Sequence, residues 1–198
     1  MTLPGAGLSL AVLGAGLATR FGSDKLAVLL EGKPLVHHVL EAVDGFAWEQ
    51  RLLVCRGTPG WAQAFADKGF TLIDSTEPER GLRGSLLAAA AHVPTGGRMM
   101  VCLADMPRIT AAHLQRLIAA AGGWRGAVAS GAGAYRGPPA IIPVDDLQAL
   151  PRKGDSGARA LLSAARLVTA EPGILADVDT GEDLQRISAG PPGPDTFL

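Results

Sequence analysis

The chain has 198 residues, of which 47% are hydrophobic and 19% charged, and its formal net charge at pH 7 is -1. This length suits one domain, and the apolar share supplies enough side chains for a core. The near-neutral charge excludes the general attraction that draws basic proteins to nucleic acids and anionic membranes, so any anion site must be local.

Strand-length apolar runs alternate with segments of helical spacing as far as Ser130. Continuous apolar runs are typical of strands buried on both faces, and Thr110 is a suitable N-cap for a helix. Alternation of the two kinds of segment predicts an α/β domain with a mainly parallel sheet flanked by helices. In chain order we predict a strand over 8–13, a helix over 34–43, a strand over 51–55, a helix over 61–68, a strand over 70–73, a helix over 82–92, a strand over 98–103, a helix over 110–121 and a strand over 126–129.

The pattern changes after Ser130. Glycine- and proline-rich stretches at 131–133 and 137–139 predict turns around a short extended piece, as in a hairpin or a lid. A helix is predicted over 155–165, and a last helix, capped at Asp179 or Thr180, continues to Ile187.

The C-terminal sequence from Gly190 is Gly-Pro-Pro-Gly-Pro, which cannot continue a helix. We therefore predict one domain over 1–189 and a flexible tail over 190–198.

Targeting and redox features favour the cytoplasm. No Lys or Arg precedes Arg20, so the basic region of a signal peptide is missing, and no uninterrupted apolar run approaches the ~20 residues of a membrane helix. Cys55 and Cys102 each lie in an apolar run, without a C-x-x-C pattern. We interpret both as small buried hydrophobic residues and predict a cytoplasmic protein with no membrane partner.

The loop after the first apolar run is rich in glycine, carries Arg20 and Lys25, and holds no acid before Asp24. Glycine lets backbone N–H groups approach an anion closely, because no Cβ is in the way. The two cations add fixed positive charge beside those amides. The loop therefore predicts a site for a polyphosphate.

Two common phosphate-loop patterns do not fit this loop. A dinucleotide fingerprint needs a third glycine where Thr19 stands, and a P-loop needs Gly-Lys followed by Ser or Thr. Gly32-Lys33 is followed by Pro34 instead. The remaining pattern is G-x-G-x-x-x-R-F-G-x-x-K.

That pattern resembles the loop of the MobA/MocA-like nucleotidyltransferases, whose typical form is L-A-[AG]-G-x-S-x-R-[MF]-G-x-x-K. Two positions depart from the family: Ala18 replaces a serine, and Gly181 replaces a proline. The resemblance covers nearly the whole chain and implies a Rossmann-like, GT-A-like fold in one domain. Further matches follow in the family's order: Gly-Lys-Pro-Leu at 32–35, G-x-x-x-S-L at 81–86, L-A-D-M-P at 103–107, G-D-x-G-A-R at 154–159 and D-V-D-T-x-E-D-L at 177–184.

The resemblance implies an enzyme closest to molybdenum cofactor cytidylyltransferase. Such an enzyme uses Mg²⁺ to transfer CMP from CTP to the phosphate of molybdopterin, releases pyrophosphate, and serves a molybdoenzyme or its chaperone. Ala15 stands before the second loop glycine and favours CTP, whereas glycine there is typical of guanylyltransferases that use GTP.

Two other functions stay open at this point. One is transfer to a sugar or polyol phosphate. The other is a non-catalytic cofactor carrier, although a carrier would tolerate loss of Lys25, Asp105 and Asp179, and all three are present.

The residues expected to bind the nucleotide lie mostly in the loop. Arg20, Lys25 and Asp105 are the expected catalytic residues. Ser85 is expected at the base or ribose, although it is equally suited to the interior of a helix. The full nucleotide-binding set is Leu13, Gly14, Ala15, Gly16, Arg20, Gly22, Lys25, Ser85 and Asp105.

Asp105 is the first expected ligand of Mg²⁺, because it follows a predicted strand at the edge where open α/β sheets bind ligands. The second is Asp177 or Asp179, and the resemblance favours Asp179. The alternative is that Asp179 only caps the last helix, with Glu182 completing a capping box, and Asp183 is then a solvated first-turn residue.

The acceptor pocket is the least readable part of the sequence. The resemblance places Asp155, Gly157 and Arg159 in it. The alternative for Asp155 and Arg159 is a local ion pair one helical turn apart.

Overall fold

The structure, a computed structural model, describes residues 3–5, 7–16, 21, 24–75, 81–150 and 161–189. Within these residues a seven-stranded sheet carries helices on both faces. The strands are β1 (Leu3–Pro4), β2 (Ser9–Leu13), β3 (Leu29–Leu30), β4 (Lys33–Pro34), β5 (Phe46–Ala47), β6 (Gln50–Cys55), β7 (Thr71–Asp74), β8 (Arg98–Leu103), β9 (Val128–Ala132), β10 (Tyr135–Pro143) and β11 (Arg166–Thr169). The helices are α1 (Leu35–Asp44), α2 (Gln63–Asp67), α3 (Gly81–Ala90), α4 (Ala111–Ala121), α5 (Val144–Gln148) and α6 (Gly181–Ser188).

The sheet has the strand order β11-β9-β10-β8-β2-β6-β7. Strands β8, β2, β6 and β7 run parallel, whereas β10 is antiparallel to both β8 and β9. Leu13 at the end of β2 pairs with Leu103 of β8 and Val54 of β6. The loops that leave these three strands therefore start from one edge of the sheet, where open α/β folds bind ligands.

Every residue of β2 is buried, because helices cover both faces of this central strand. Leu10 and Val12 belong to a core that includes residues of α1 and α4. Ala11 and Leu13 point to the opposite face, into a core shared with α3 and α5. The two cores explain why β2 reads as one continuous apolar run in the sequence.

The predicted alternation of strands and helices is confirmed, including Thr110, whose hydroxyl accepts a hydrogen bond from the His113 amide at 3.2 Å. The helix expected over 61–68 is split, because a 3-10 turn, Gly60–Ala62, precedes α2.

The C-terminal third matches the sequence prediction in part. Strands β9 and β10 form the expected hairpin. The turn predicted at 137–139 is wrong: those residues lie inside β10, where the register shifts between Gly137 and Ala140. A shift of this kind lets glycine and proline occupy a strand without breaking it.

Parts of the prediction fall outside the described residues. The tail over 190–198 does so entirely, and of the helix over 155–165 only 161–163 are described as helical. In the portion of the chain that the structure describes, no helix combines the length and the apolar character that a membrane span requires.

Candidate functional site

The candidate site forms where the segments after β2 and β8 meet a third segment from the far end of the chain. The Ala104 amide donates to the Leu13 carbonyl at 3.0 Å, which fixes the turn that carries Asp105. The Val178 amide donates to the Asp105 backbone carbonyl at 3.0 Å. Residues 105 and 178 are therefore joined by a backbone hydrogen bond, independently of their side chains.

The Lys25 ammonium contacts Asp105, Val178 and Asp179, and these four residues form the cluster at the centre of the candidate site. Its ammonium donates to Asp105 Oδ2 at 2.8 Å, to Asp179 Oδ1 at 2.9 Å and to the Val178 carbonyl at 2.8 Å. An ammonium group has three N–H donors, so these contacts use its full capacity. The Lys25 side chain is only 11% exposed, and thus the cation lies in a largely dry position between two carboxylates.

The carboxylates keep Lys25 charged. Burial by itself would lower the pKa of Lys25, but the charges and hydrogen bonds of Asp105 and Asp179 outweigh it and raise the pKa above its usual value. The ammonium is therefore a permanent positive charge at neutral pH.

The surroundings of Lys25 are nevertheless acidic. Burial raises the pKa of Asp177, and the charges of Asp105 and Asp179 raise it further. Burial also raises the pKa of Tyr135, with a smaller contribution from Asp177 and Asp105. Three aspartates thus act electrostatically on one small region that holds a single lysine among the described residues.

One buried oxygen in this region has no hydrogen-bond partner among the described residues. Asp105 Oδ1 is shielded from solvent and accepts no hydrogen bond from the described residues. In the described part of the chain, no three acidic, histidine or cysteine side chains converge enough to hold a metal by themselves. Mg²⁺ commonly takes one or two carboxylates and completes its shell with water and phosphate oxygens, so Asp105 and Asp179 are the residues here that could hold it.

The backbone at Lys25 is shaped by its neighbour Asp24. Asp24 caps the 3-10 turn Lys25–Ala27, and its Oδ1 accepts a hydrogen bond from the Leu26 amide at 3.1 Å. Its Oδ2 accepts one from the indole of Trp61 at 2.8 Å. Sequence reasoning missed Trp61, because nothing in the spacing links residue 61 to residue 24.

Two glycines of the loop, Gly14 and Gly16, differ in their surroundings. The Gly14 amide donates to the Val54 carbonyl at 2.8 Å, so it is engaged within the sheet rather than directed at a ligand. A Cβ at Gly14 would lie 3.1 Å from Leu26, 3.2 Å from Ala104 and 3.3 Å from Trp61, so a side chain here would crowd three neighbouring side chains. A Cβ at Gly16 would meet no atom of the described residues within 4 Å.

The other expected nucleotide-binding residues are distributed differently. Ala15 and Leu13 are buried in the core that also holds Leu86, and Ser85 is buried in α3. The predictions for Arg20, Gly22, Asp155, Gly157 and Arg159 lie outside the described residues.

The alternative role considered for Asp179 is wrong. Thr180, not Asp179, caps α6, and Asp183 rather than Glu182 completes the capping box. Asp183 Oδ2 accepts hydrogen bonds from the amides of Asp179 and Thr180 at 3.1 and 2.8 Å, and from the Thr180 hydroxyl. The expectation that Asp183 is merely solvated is therefore also wrong. Capping of α6 leaves the Asp179 carboxylate to contact Lys25.

Comparison with known proteins relates the chain to nucleotidyltransferases. Residues 10–170 match the family described as MobA-like NTP transferase domain. A probable molybdenum cofactor guanylyltransferase from Pyrococcus furiosus is 30% identical over 109 residues, which are 55% of this chain and 53% of that protein. The bifunctional protein GlmU of Psychrobacter sp. is 31% identical over 113 residues, 56% of this chain and 25% of that protein.

The chain therefore spans about half of the first relative and a quarter of the second. Among solved structures, Rv0371c from Mycobacterium tuberculosis H37Rv superposes with a TM-score of 0.76 at 21% identity. That match covers 93% of this chain and 99% of Rv0371c. At this identity the similarity shows the fold alone, a single α/β domain.

Proposed function

The chain belongs to the MobA-like NTP transferase domain family, and on this premise we propose that it transfers a nucleotide to the phosphate of molybdopterin. The observation that carries the proposal is the contact of Lys25 with both Asp105 and Asp179 at the ligand-binding edge of the sheet. The curated guanylyltransferase relative supports the choice of acceptor.

The proposed reaction is an in-line displacement. A phosphate oxygen of the acceptor attacks the α-phosphorus of the nucleoside triphosphate, and the bond to the bridging oxygen breaks as pyrophosphate leaves. A triphosphate carries about four negative charges, so repulsion between the reactants is the main obstacle. The protein would act by positioning and by neutralising charge, without a covalent intermediate on any side chain.

Lys25 suits the task of neutralising phosphate charge, since it is cationic and held at the expected phosphate site. Its three donors are taken by protein acceptors, so contact with a phosphate requires it to give up at least one of them. Asp105 and Asp179 would hold Mg²⁺, with Asp105 Oδ1 as an acceptor that has no hydrogen-bond partner among the described residues. Mg²⁺, when bound, supplies positive charge beside the phosphates.

Two nucleotides are candidate donors. Ala15 in the loop favours CTP, as the resemblance implies, whereas the name of the Pyrococcus relative favours GTP. Ala15 is buried, so it would act on base choice through the backbone rather than by touching the base.

The experiment that tests the proposal measures pyrophosphate. The protein is incubated with Mg²⁺, molybdopterin and each of the four nucleoside triphosphates in turn. Release with CTP alone supports the cytidylyltransferase, and release with GTP alone supports the guanylyltransferase.

Two controls separate the other functions. Sugar and polyol phosphates replace molybdopterin in a parallel series, and release with them alone would reassign the acceptor. Tight molybdopterin binding without release from any nucleotide would identify a carrier and contradict the proposal.

A further inference from the structure

We propose that Trp61 is a positioning residue for Lys25 and acts through Asp24. Trp61 lies in the 3-10 turn Gly60–Ala62, which follows β6, and its indole N–H reaches across to Asp24 Oδ2 at 2.8 Å. The inference rests on the proposed function only where its test uses turnover.

Asp24 is held on both of its oxygens. One oxygen receives the Leu26 amide and the other receives the indole of Trp61, so the carboxylate cannot rotate without breaking a bond. Because Asp24 is the N-cap of the turn that begins at Lys25, its orientation sets where the Lys25 backbone starts. The hydrogen bond from Trp61 thus fixes the Asp24 carboxylate in addition to the local hydrogen bond from the Leu26 amide.

Trp61 is itself rigidly placed. It is 8% exposed, its ring meets Phe65 edge-on with centroids 6.2 Å apart, and its carbonyl lies 3.1 Å from His37 Nε2 of α1. One carbon of its ring also lies 3.3 Å from the position that a Cβ at Gly14 would take. A group fixed by packing on several sides can hold a functional residue to the tolerance that catalysis needs.

The consequence is geometric. The Lys25 ammonium lies 2.8–2.9 Å from three acceptors, and a shift of about 1 Å would break these contacts. Displacements of about 1 Å in catalytic groups can lower rates by roughly 100-fold. The indole N–H of Trp61 is therefore expected to affect turnover, although it contacts Asp24 and not Lys25 itself.

The test compares two Trp→Phe variants. Trp61→Phe removes the N–H and keeps an aromatic ring. Trp48→Phe is the matched control, since Trp48 is 9% exposed and its indole donates to the Val43 carbonyl at 2.8 Å, within a different part of the core. We expect kcat to fall at least ~10-fold in W61F and to stay within ~2-fold of wild type in W48F, with similar thermal midpoints for both variants.

A double variant shows whether Trp61 acts through Lys25. In a Lys25→Met background, W61F should add no further loss of kcat, because the group that it positions is already gone. An independent, multiplying loss would mean that Trp61 acts by another route and would overturn the inference.

A structural readout keeps the inference separate from the proposed function. Crystal structures of W61F and W48F should show the Lys25 ammonium leaving Asp105 or Asp179 in W61F alone. Unchanged Lys25 contacts in W61F would overturn the inference. If wild-type protein releases no pyrophosphate with any nucleotide, the proposed function fails, and these two structures decide the positioning role by themselves.

Discussion

Asp105 and Asp179 each form an ion pair with the same cation, the ammonium of Lys25. Loss of one acid leaves the ammonium with the other acid and with the Val178 carbonyl. Loss of the lysine, in contrast, leaves two negative groups facing each other. Substitutions at the two kinds of residue therefore have different expected effects on stability and on metal binding.

Asp105→Ala should lower kcat at least ~100-fold and leave the fold intact. The free energy of unfolding should fall by only about 1–2 kcal/mol, because Lys25 keeps Asp179 and the Val178 carbonyl. Pyrophosphate release and thermal unfolding measure the two effects. Asp67→Ala, an exposed aspartate at the end of α2, is the control. Retained turnover in D105A would refute the metal assignment.

Lys25→Met should strengthen binding of a divalent cation to the protein without nucleotide. Removal of a unit positive charge about 3 Å from both carboxylates should raise the affinity for Mn²⁺ at least about tenfold. The same variant should also lower kcat, at least ~100-fold but to a measurable residual rate, because it lacks the charge that would face the phosphates.

Electron paramagnetic resonance of free Mn²⁺ measures the affinity directly. Lys33→Met is the matched control, since Lys33 pairs with exposed Glu41 away from the cluster. Weaker Mn²⁺ binding in K25M would show that Lys25 holds Asp105 in place for the metal instead of competing with it.

At the scale of elements, the start of α6 is built so that its cap and its site residue are neighbours with different tasks. The Thr180 hydroxyl accepts a hydrogen bond from the Asp183 amide in the first turn, and the Asp183 carboxylate accepts hydrogen bonds from the amides of Asp179 and Thr180, which precede the helix. The Asp179 side chain is thereby left to contact Lys25. The segment 179–183 thus caps a helix and also supplies a side chain of the candidate site.

Asp183→Ala should destabilise the protein by about 1 kcal/mol at pH 7, whereas Glu182→Ala should cost only a few tenths. Both acids lie in the first turn, but only Asp183 accepts the capping bonds. The hydrogen bond from Thr180 is the largest cause that lowers the pKa of Asp183 below 3.8. A lowered pKa in the folded state means that the carboxylate stabilises the fold above pH 3.8.

This stabilisation is lost as the pH falls from 3.8 through the lower pKa of the folded state. Urea unfolding of wild type, D183A and E182A at pH 7 and near pH 3 measures the difference. A D183A effect that persists unchanged in acid would contradict the role of the ionised carboxylate.

The elements differ in how far the sequence determines them. Strand β2 was predictable because both of its faces are buried, and Thr110 because its hydroxyl caps a helix locally. The sequence leaves the capping box of α6 open, because Asp179-Thr180 offers two caps and Glu182-Asp183 two partners, and the structure shows Thr180 with Asp183. The contact between Trp61 and Asp24 joins two loops 37 residues apart, and no local pattern signals it.

At the scale of the whole molecule, the candidate site is assembled from distant parts of the chain. Lys25 and Asp105 are 80 residues apart, and Lys25 and Asp179 are 154 apart. The parallel pairing of β2 with β8 brings the first two together, and the bond from Val178 to the Asp105 carbonyl adds the third. A ligand that bridges these segments therefore stabilises the global fold rather than one local region.

Binding of the correct nucleotide should consequently raise the unfolding temperature, and only together with a divalent cation. At a concentration of 100 times Kd, the expected gain is about 2.7 kcal/mol, or roughly 5–10 °C for a domain of this size. Differential scanning fluorimetry with each of the four nucleotides, with Mg²⁺ or with EDTA, measures it. Asp105→Ala should abolish the shift, whereas Asp67→Ala should retain it. A shift of equal size in EDTA would mean that the triphosphate binds without the carboxylates, and the site would then be a phosphate clamp independent of Asp105 and Asp179.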